Sequence, residues 1–402
     1  MMDRYPKLAE GAVRRRALLA VGLGVAVAAG VSAQAGTGSG AGPARAASSP
    51  PASHPGAFLT AAQRHAGTWK LLPAAPATAK PFRAVSVWTG REMIIHGLFG
   101  TYPTHGRFTL AYHPGTRTWT RLARGPAWVS VESGDIAVWT GSRMLVFGET
   151  SASYNPAVNR WTPVPSPGQP TSGVLGWTGH QLIMWGGSCC GGGSDPGEAY
   201  NPATRTWHML PGSPLHTRSD FSGAWTGKEL VVAGGISPGP SRQRALRDGA
   251  AYNPVTRTWR KIAPMPRDHS DATAVWDGKE ILFIGGWNGL FGLPVIHGLA
   301  YNPRTNRWRW LPAMQYPRYQ FATVWTGRQL LVWGGLRWTP ANTPPPRGEA
   351  YNPATNSWTA LPAAPLRGRA NPIAVWTGRQ LLVWGGYSAT GTTFTDGAAY
   401  TP

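Results

Sequence analysis

Seven times along the chain an apolar stretch ends in tryptophan, breaks at a Thr-Gly or Asp-Gly turn, and gives way to a second apolar run. The marker residues Trp88, Trp139, Trp177, Trp225, Trp276, Trp325 and Trp376 stand 51, 38, 48, 51, 49 and 51 residues apart. The second run ends in glycine, as in Leu331-Val332-Trp333-Gly334-Gly335. A third signal follows, Tyr-Asn-Pro or a close variant, then polar residues and another tryptophan, as in Tyr351-Asn352-Pro353 leading to Trp358. It recurs at Tyr112, Tyr154, Tyr200, Tyr252 and Tyr301 with Trp119, Trp161, Trp207, Trp259 and Trp308. The runs are short, β-branched and aromatic, without a helical period, so they predict strands. Gly supplies positive φ, Asn caps its own turn and Pro fixes φ, so the segments between them predict tight turns.

Each unit thus offers four short strands, and a period near fifty residues with four strands per unit predicts a propeller blade. The seventh unit reaches only Tyr400-Thr401-Pro402, where its fourth strand is due. A matching piece lies near the other end, Gly67-Thr68-Trp69-Lys70-Leu71-Leu72-Pro73. The fold expected is all-β: a seven-bladed β-propeller of four-stranded antiparallel blades, closed by an N-terminal strand that completes the last blade. The marker tryptophans are expected to be structural, packing between blades.

The order Gly-Gly, Tyr-Asn-Pro, Trp resembles the kelch repeat. Pro264-Met265-Pro266-Arg267-Asp268-His269-Ser270 resembles the segment that leads into a kelch first strand. The resemblance covers about residues 64–402. By architecture it implies likeness to the propeller domain of galactose oxidase, to bacterial sialic-acid mutarotases and to kelch adaptor domains. Two units depart from the pattern, with His96-Gly97 and Gly148-Glu149 in place of Gly-Gly, which puts the edges of those blades in doubt. The copper chemistry of galactose oxidase needs ligands and a Tyr–Cys crosslink for which the sequence shows no matching constellation.

Composition sharpens the picture. Gly 52 and Pro 38 together with Trp 21 fit many tight turns between packed strands rather than disorder. The formal charge of +21 favours polyanionic partners or simply aids solubility. The basic residues are scattered rather than clustered, which argues against specific nucleic-acid binding. Cys189 and Cys190 are adjacent and cannot build a disulfide framework or a zinc site. Arg14-Arg15-Arg16, the apolar run to Val31 and Val31-Ser32-Ala33 resemble a bacterial twin-arginine export signal. Residues 1–33 are read as that signal, 34–56 as an Ala/Gly/Ser/Pro linker, and 57–402 as the propeller. The expected location is therefore extracytoplasmic, with no membrane span after cleavage.

Function is expected where loops vary. Strands alternate in direction, so the connections between strands two and three, and from strand four to the next blade, emerge on one face. Five residues before the marker tryptophans lie Arg83, Gly134, Ser172, Asp220, Asp271, Gln320 and Asn371. Seven before lie Pro81, Glu132, Pro170, Arg218, His269, Arg318 and Arg369. A spacing of two puts both positions on one side of an extended strand. Arg83, Arg218, Asp220, His269, Asp271, Arg318, Arg369 and Asn371 therefore predict a polar funnel at the mouth of the central channel. Such a funnel could recognise a sugar or acidic ligand, with Arg as a carboxylate clamp. Alternatively, Arg and Asp satisfy one another and neighbouring loop carbonyls. Trp287 and Trp338 are aromatics outside the repeat markers, suited to stacking on sugar rings or to packing over their own loops. Glu198, Asp248, Glu349 and Asp396 precede the third-strand tyrosines, as turn caps, cation ligands or acid/base groups.

There is no phosphate loop, His-Glu-x-x-His or nucleophile elbow. The reading is a non-catalytic binding propeller for carbohydrate or an acidic cell-envelope polymer, monomeric, with no cofactor and no metal. A sugar-acting enzyme of mutarotase or lyase type is the alternative, with His269 and Asp271 or Asp220 moving protons. A protein–protein adaptor is the third.

Overall fold

The computed structural model describes residues 67–76, 81–99, 106–126, 136–147, 150–165, 173–186, 197–237, 244–289, 294–337, 343–345 and 347–402. The proposed signal and linker, Cys189, Cys190, Gly148, Glu149 and Trp338 lie outside them.

The described residues form seven four-stranded antiparallel sheets. Blade 1 starts at Pro81–Trp88, blade 2 at Ile136–Trp139, blade 3 at Val174–Trp177, and blade 4 at Ser222–Trp225. Blades 5, 6 and 7 start at Thr273–Trp276, Tyr319–Trp325 and Ile373–Trp376. These first strands touch those of neighbouring blades and line the centre, and blade 1 meets blade 7. The ring closes as the repeat predicts: Thr68–Leu71 pairs antiparallel with Gly397–Thr401, in the register Trp69↔Tyr400. The Trp69 and Tyr400 rings lie 5.0 Å apart.

The repeated residues explain why each blade forms. In the first turn of blade 4, Thr226 Oγ1 accepts from the Glu229 amide at 2.9 Å, while Gly227 takes φ +86°. That conformation favours glycine because it carries no Cβ. Where Asp277 replaces threonine, its carboxylate accepts from the Lys279 and Glu280 amides at 2.7 and 2.6 Å. The third-strand tyrosine stands opposite the fourth-strand tryptophan, as in Tyr252↔Trp259 and Tyr351↔Trp358.

The fourth-strand tryptophans also latch blade to blade. Trp119 Nε1–H donates to the Pro73 carbonyl at 3.0 Å, Trp259 to Pro211 at 3.0 Å, and Trp308 to Ala263 at 2.7 Å. Each acceptor lies just beyond the fourth strand of the preceding blade. Trp69 reaches Pro362 in the same way at 3.0 Å, so the closing strand carries the same latch. A half-buried indole thereby keeps its polar edge satisfied while its ring packs. Apolar side chains fill the spaces between blades, for example Val231, Ala251 and Ile262 of blade 4 against Ala274, Ile281 and Phe283 of blade 5.

In blade 1, where His96-Gly97 replaces Gly-Gly, the second strand runs without interruption as Met93–Phe99. Its pairing with the first strand carries a register shift between Pro81 and Arg83, whereas blade 6 keeps Gly334-Gly335 within an equally long second strand, Leu330–Leu336.

Candidate functional site

The two residue positions proposed for the funnel separate in the structure. Arg218, Arg318 and Arg369 are buried, and their charge is spent inside their own blades. Arg218 donates to both carboxylate oxygens of Asp248, at 2.8 and 2.9 Å, and to the Gly234 carbonyl at 3.1 Å. Arg369 repeats this with Asp396 at 2.7 Å and Gly385 at 3.0 Å, and stacks on Phe394 at 4.2 Å. Arg318 is paired with Glu349 and donates to the Gly334 and Arg347 carbonyls. Of the carboxylates before the third-strand tyrosines, Asp248, Glu349 and Asp396 are thus the partners of these arginines. The Arg218 guanidinium holds the Asp248 carboxyl below its usual range. No arginine clamp is presented to the channel by these three residues.

His269 occupies the same position in blade 5 and is buried, with Nε2–H donating to the Gly285 carbonyl at 2.6 Å. Burial lowers its pKa to about 4, so the ring is neutral near pH 7. It is a tie between the first strand and the glycine pair, and does not face the channel as a proton carrier.

The reason for the separation is backbone conformation. Asp220, Asp271, Gln320 and Asn371 have φ values of 51°, 53°, 55° and 44°, all left-handed. The two-residue alternation that would align both positions holds only in extended chain, so it breaks here. Non-glycine residues in this region are uncommon and strained. The strain is held by links between blades: the Asp271 amide donates to the Asp220 carbonyl, and the Asn371 amide to the Gln320 carbonyl, both at 2.7 Å.

These half-buried residues stand at the entry to the innermost strands of blades 4 to 7, on one side of the channel mouth. The Asp220 and Asp271 carboxyls interact, and burial followed by the charge of Asp220 raises Asp271 to about 7. Burial also raises Asp220. Trp287 donates a side-chain hydrogen bond to Asp271. The Trp287 ring lies 5.4 Å from that of Tyr319. On the far side, Asn371 Nδ2–H donates to Tyr387 Oη at 3.0 Å. Burial pushes the Tyr387 hydroxyl up to about 12, with Tyr319 and Arg83 close enough to act on it. The mouth therefore joins a carboxyl pair from blades 4 and 5, aromatic rings from blades 5, 6 and 7, and Arg83 from blade 1.

Of the sequence candidates, Arg83, Asp220, Asp271, Asn371 and Trp287 come together here. Arg218, His269, Arg318 and Arg369 do not, and Trp338 lies outside the described residues. Tyr319 and Tyr387 were missed. The signal that finds Tyr387, as it finds Trp287, is the position directly after Gly-Gly, where the chain crosses the channel-facing end of its blade.

Comparison with known proteins fits this architecture. Residues 217–266 match the Kelch motif. The kelch-like protein terF of Aspergillus terreus is 36% identical over 91 residues, which span 21% of this chain and 20% of that protein. A fungal alcohol oxidase of the AA5 family, solved in complex with copper, superposes with a TM-score of 0.62 at 17% identity. That superposition covers 84% of this chain and 77% of the oxidase, and at this identity it shows the fold alone. The motif, the relative and the seven blades together support a kelch-repeat propeller. As for copper, the described residues bring together no group of three or more His, Cys, Asp or Glu side chains that could hold a metal ion. The described residues therefore do not fit that group.

Proposed function

We propose that this kelch propeller binds a hydroxyl-rich ligand, a carbohydrate, at the channel mouth. The observation that carries the reading is the Asp220–Asp271 pair set beside Trp287, Tyr319 and Tyr387. Carboxyls accept hydrogen bonds from sugar hydroxyls, and aromatic rings with polar tips suit a ligand that is apolar on its faces and wet at its edges. An acidic polymer is the poorer fit, because Arg218, Arg318 and Arg369 are already paired. An adaptor function on this face has less support. Among the described residues the exposed large apolar side chains are Leu71, Val158, Met209 and Val255, on fourth strands and on the turns of the opposite face. The proposal includes export, resting on Arg14-Arg15-Arg16 and the apolar run behind them.

A glycan and polyanion array probed with the full chain tests it, followed by calorimetry on Asp271→Asn and Trp287→Ala. Neutral glycans should bind, and each substitution should weaken binding by about tenfold or more. Binding of polyanions alone, indifferent to both substitutions, would refute it. The pKa of Asp271 near 7 favours a second reading, acid–base chemistry on the bound sugar. That reading requires a pH–rate inflection near 7 that Asp271→Asn removes.

A further inference from the structure

On the face opposite the mouth, two successive blade interfaces are joined by the same polar relay. Between blades 4 and 5, Arg260 grips Glu229 at 2.7 Å and bonds Tyr301, whose hydroxyl donates to Asn306 at 2.9 Å. Between blades 5 and 6, Arg309 grips Glu280 at 2.6 Å and reaches Asn356 at 2.9 Å, and the Tyr351 hydroxyl also donates to Asn356 at 2.7 Å. In each relay an acid follows the first turn, a base follows the fourth-strand tryptophan, and tyrosine and asparagine come from the next blade.

Between blades 3 and 4 those four places hold Gln181, His208, Tyr252 and Arg257. Compared with the next two interfaces, the acid is gone and a cation stands in place of Asn306 and Asn356. The four residues line a cavity of about 210 Å³ with a floor of Ile183 and Ala199. Their polar side-chain groups are not used on one another: no hydrogen bond or ion pair links them in the structure. Arg117 and Arg205, at the same turn position in other blades, donate to the Leu71 and Pro163 carbonyls of the preceding blade at 3.0 and 2.8 Å. Arg257 makes no such bond and lines the cavity instead.

We propose that the cleft between blades 3 and 4 is a binding site for a small oxyanion, a carboxylate or phosphate, held by Arg257 with Gln181, His208 and Tyr252 as further donors. Such an ion supplies the carboxylate that the next two interfaces carry as Glu229 and Glu280. Arginine's planar fork suits either chemistry through paired hydrogen bonds. Burial, then the charge of Arg257, lowers the pKa of His208, and a bound anion offsets both effects.

The test is calorimetry on the full chain with inorganic phosphate and with acetate, against chloride at equal ionic strength. The His208 ring resonance, assigned with His208→Gln, serves as a second readout. Wild type should bind at one saturable site, and the stronger of the two ions names the ligand class. Arg257→Gln should weaken binding by about tenfold or more. Gln181→Glu should abolish it while raising the melting temperature, because the variant supplies the carboxylate itself. Circular dichroism checks that both variants fold. The proposal is overturned if neither ion binds more than chloride does, or if binding survives both substitutions. Neutral glycan binding at the mouth should be unaffected by either variant, so the two sites stand or fall separately.

Discussion

Removing Glu349 should unfold this protein far more readily than removing Asp248, although both carboxylates pair with an arginine at the same repeat position. The Arg318 and Glu349 side chains are each 0% exposed. Burial opposes the charge on Arg318, and Glu349 is the main influence that sustains it. Glu349 also accepts from the Gln315 and Tyr316 amides at 2.9 and 3.3 Å. Glu349→Ala therefore strands a buried cation and orphans two amides, at a cost of about 3–5 kcal/mol. The Asp248 side chain is 49% exposed, so water can reach the gap that Asp248→Ala leaves. Screening limits that loss to about 1–2 kcal/mol. Urea denaturation with a shared slope reads the gap between the variants, about 1–4 kcal/mol. The double variant Arg318→Met with Glu349→Leu should recover the part of the loss due to the stranded cation, since an apolar pair avoids desolvating two charges, but not the part due to the two orphaned amides. Equal losses in the two single variants would refute the argument. So would a loss of glycan affinity in Arg318→Met at undiminished stability, because that would return Arg318 to the ligand.

Asp271 should make stability fall as pH rises from about 3.8 to about 7, since the folded state binds a proton over that window that the unfolded chain releases. Asp271→Asn should flatten the melting temperature over that window relative to wild type, and parallel curves would sink the assignment. His269 has the opposite sign: its lowered pKa means stability is lost as pH falls from about 6.5 to about 4. His269→Arg alone should destabilise, because His297 stands where Asp248 and Asp396 pair with arginine in blades 4 and 7. Adding His297→Asp should restore stability, as a thermal-melt cycle would read. Deleting residues 1–72 removes the strand that pairs with Gly397–Thr401 and the Trp69 latch to Pro362. Aggregation through the bared edge, seen by size-exclusion chromatography, is the expected outcome.

The ring was legible because its signals are local and repeated. Trp-Thr-Gly and Tyr-Asn-Pro encode turns by the chemistry of Thr, Gly, Asn and Pro themselves, and Gly67–Pro73 declared its place by matching the ends of the other units. The mouth was only half legible. Asp220, Asp271 and Asn371 were placed by counting back from tryptophan, which needs no geometry. Grouping them with Arg218, Arg318 and Arg369 assumed extended backbone, and the left-handed φ at Asp220, Asp271 and Asn371 turns the two sets apart. That conformation has no reliable sequence mark at Asp or Asn and none at Gln320. The arginine partners were visible as Asp248, Glu349 and Asp396, but nothing in the sequence says that they meet those arginines beneath the surface. Comparing units column by column has more reach than comparing residue types. The cleft between blades 3 and 4 emerges only when Gln181, His208, Tyr252 and Arg257 are set beside the residues that hold the next two interfaces together. In a repeat protein the framework is what every unit shares, so the places where one unit departs from its neighbours are where a ligand has room to enter.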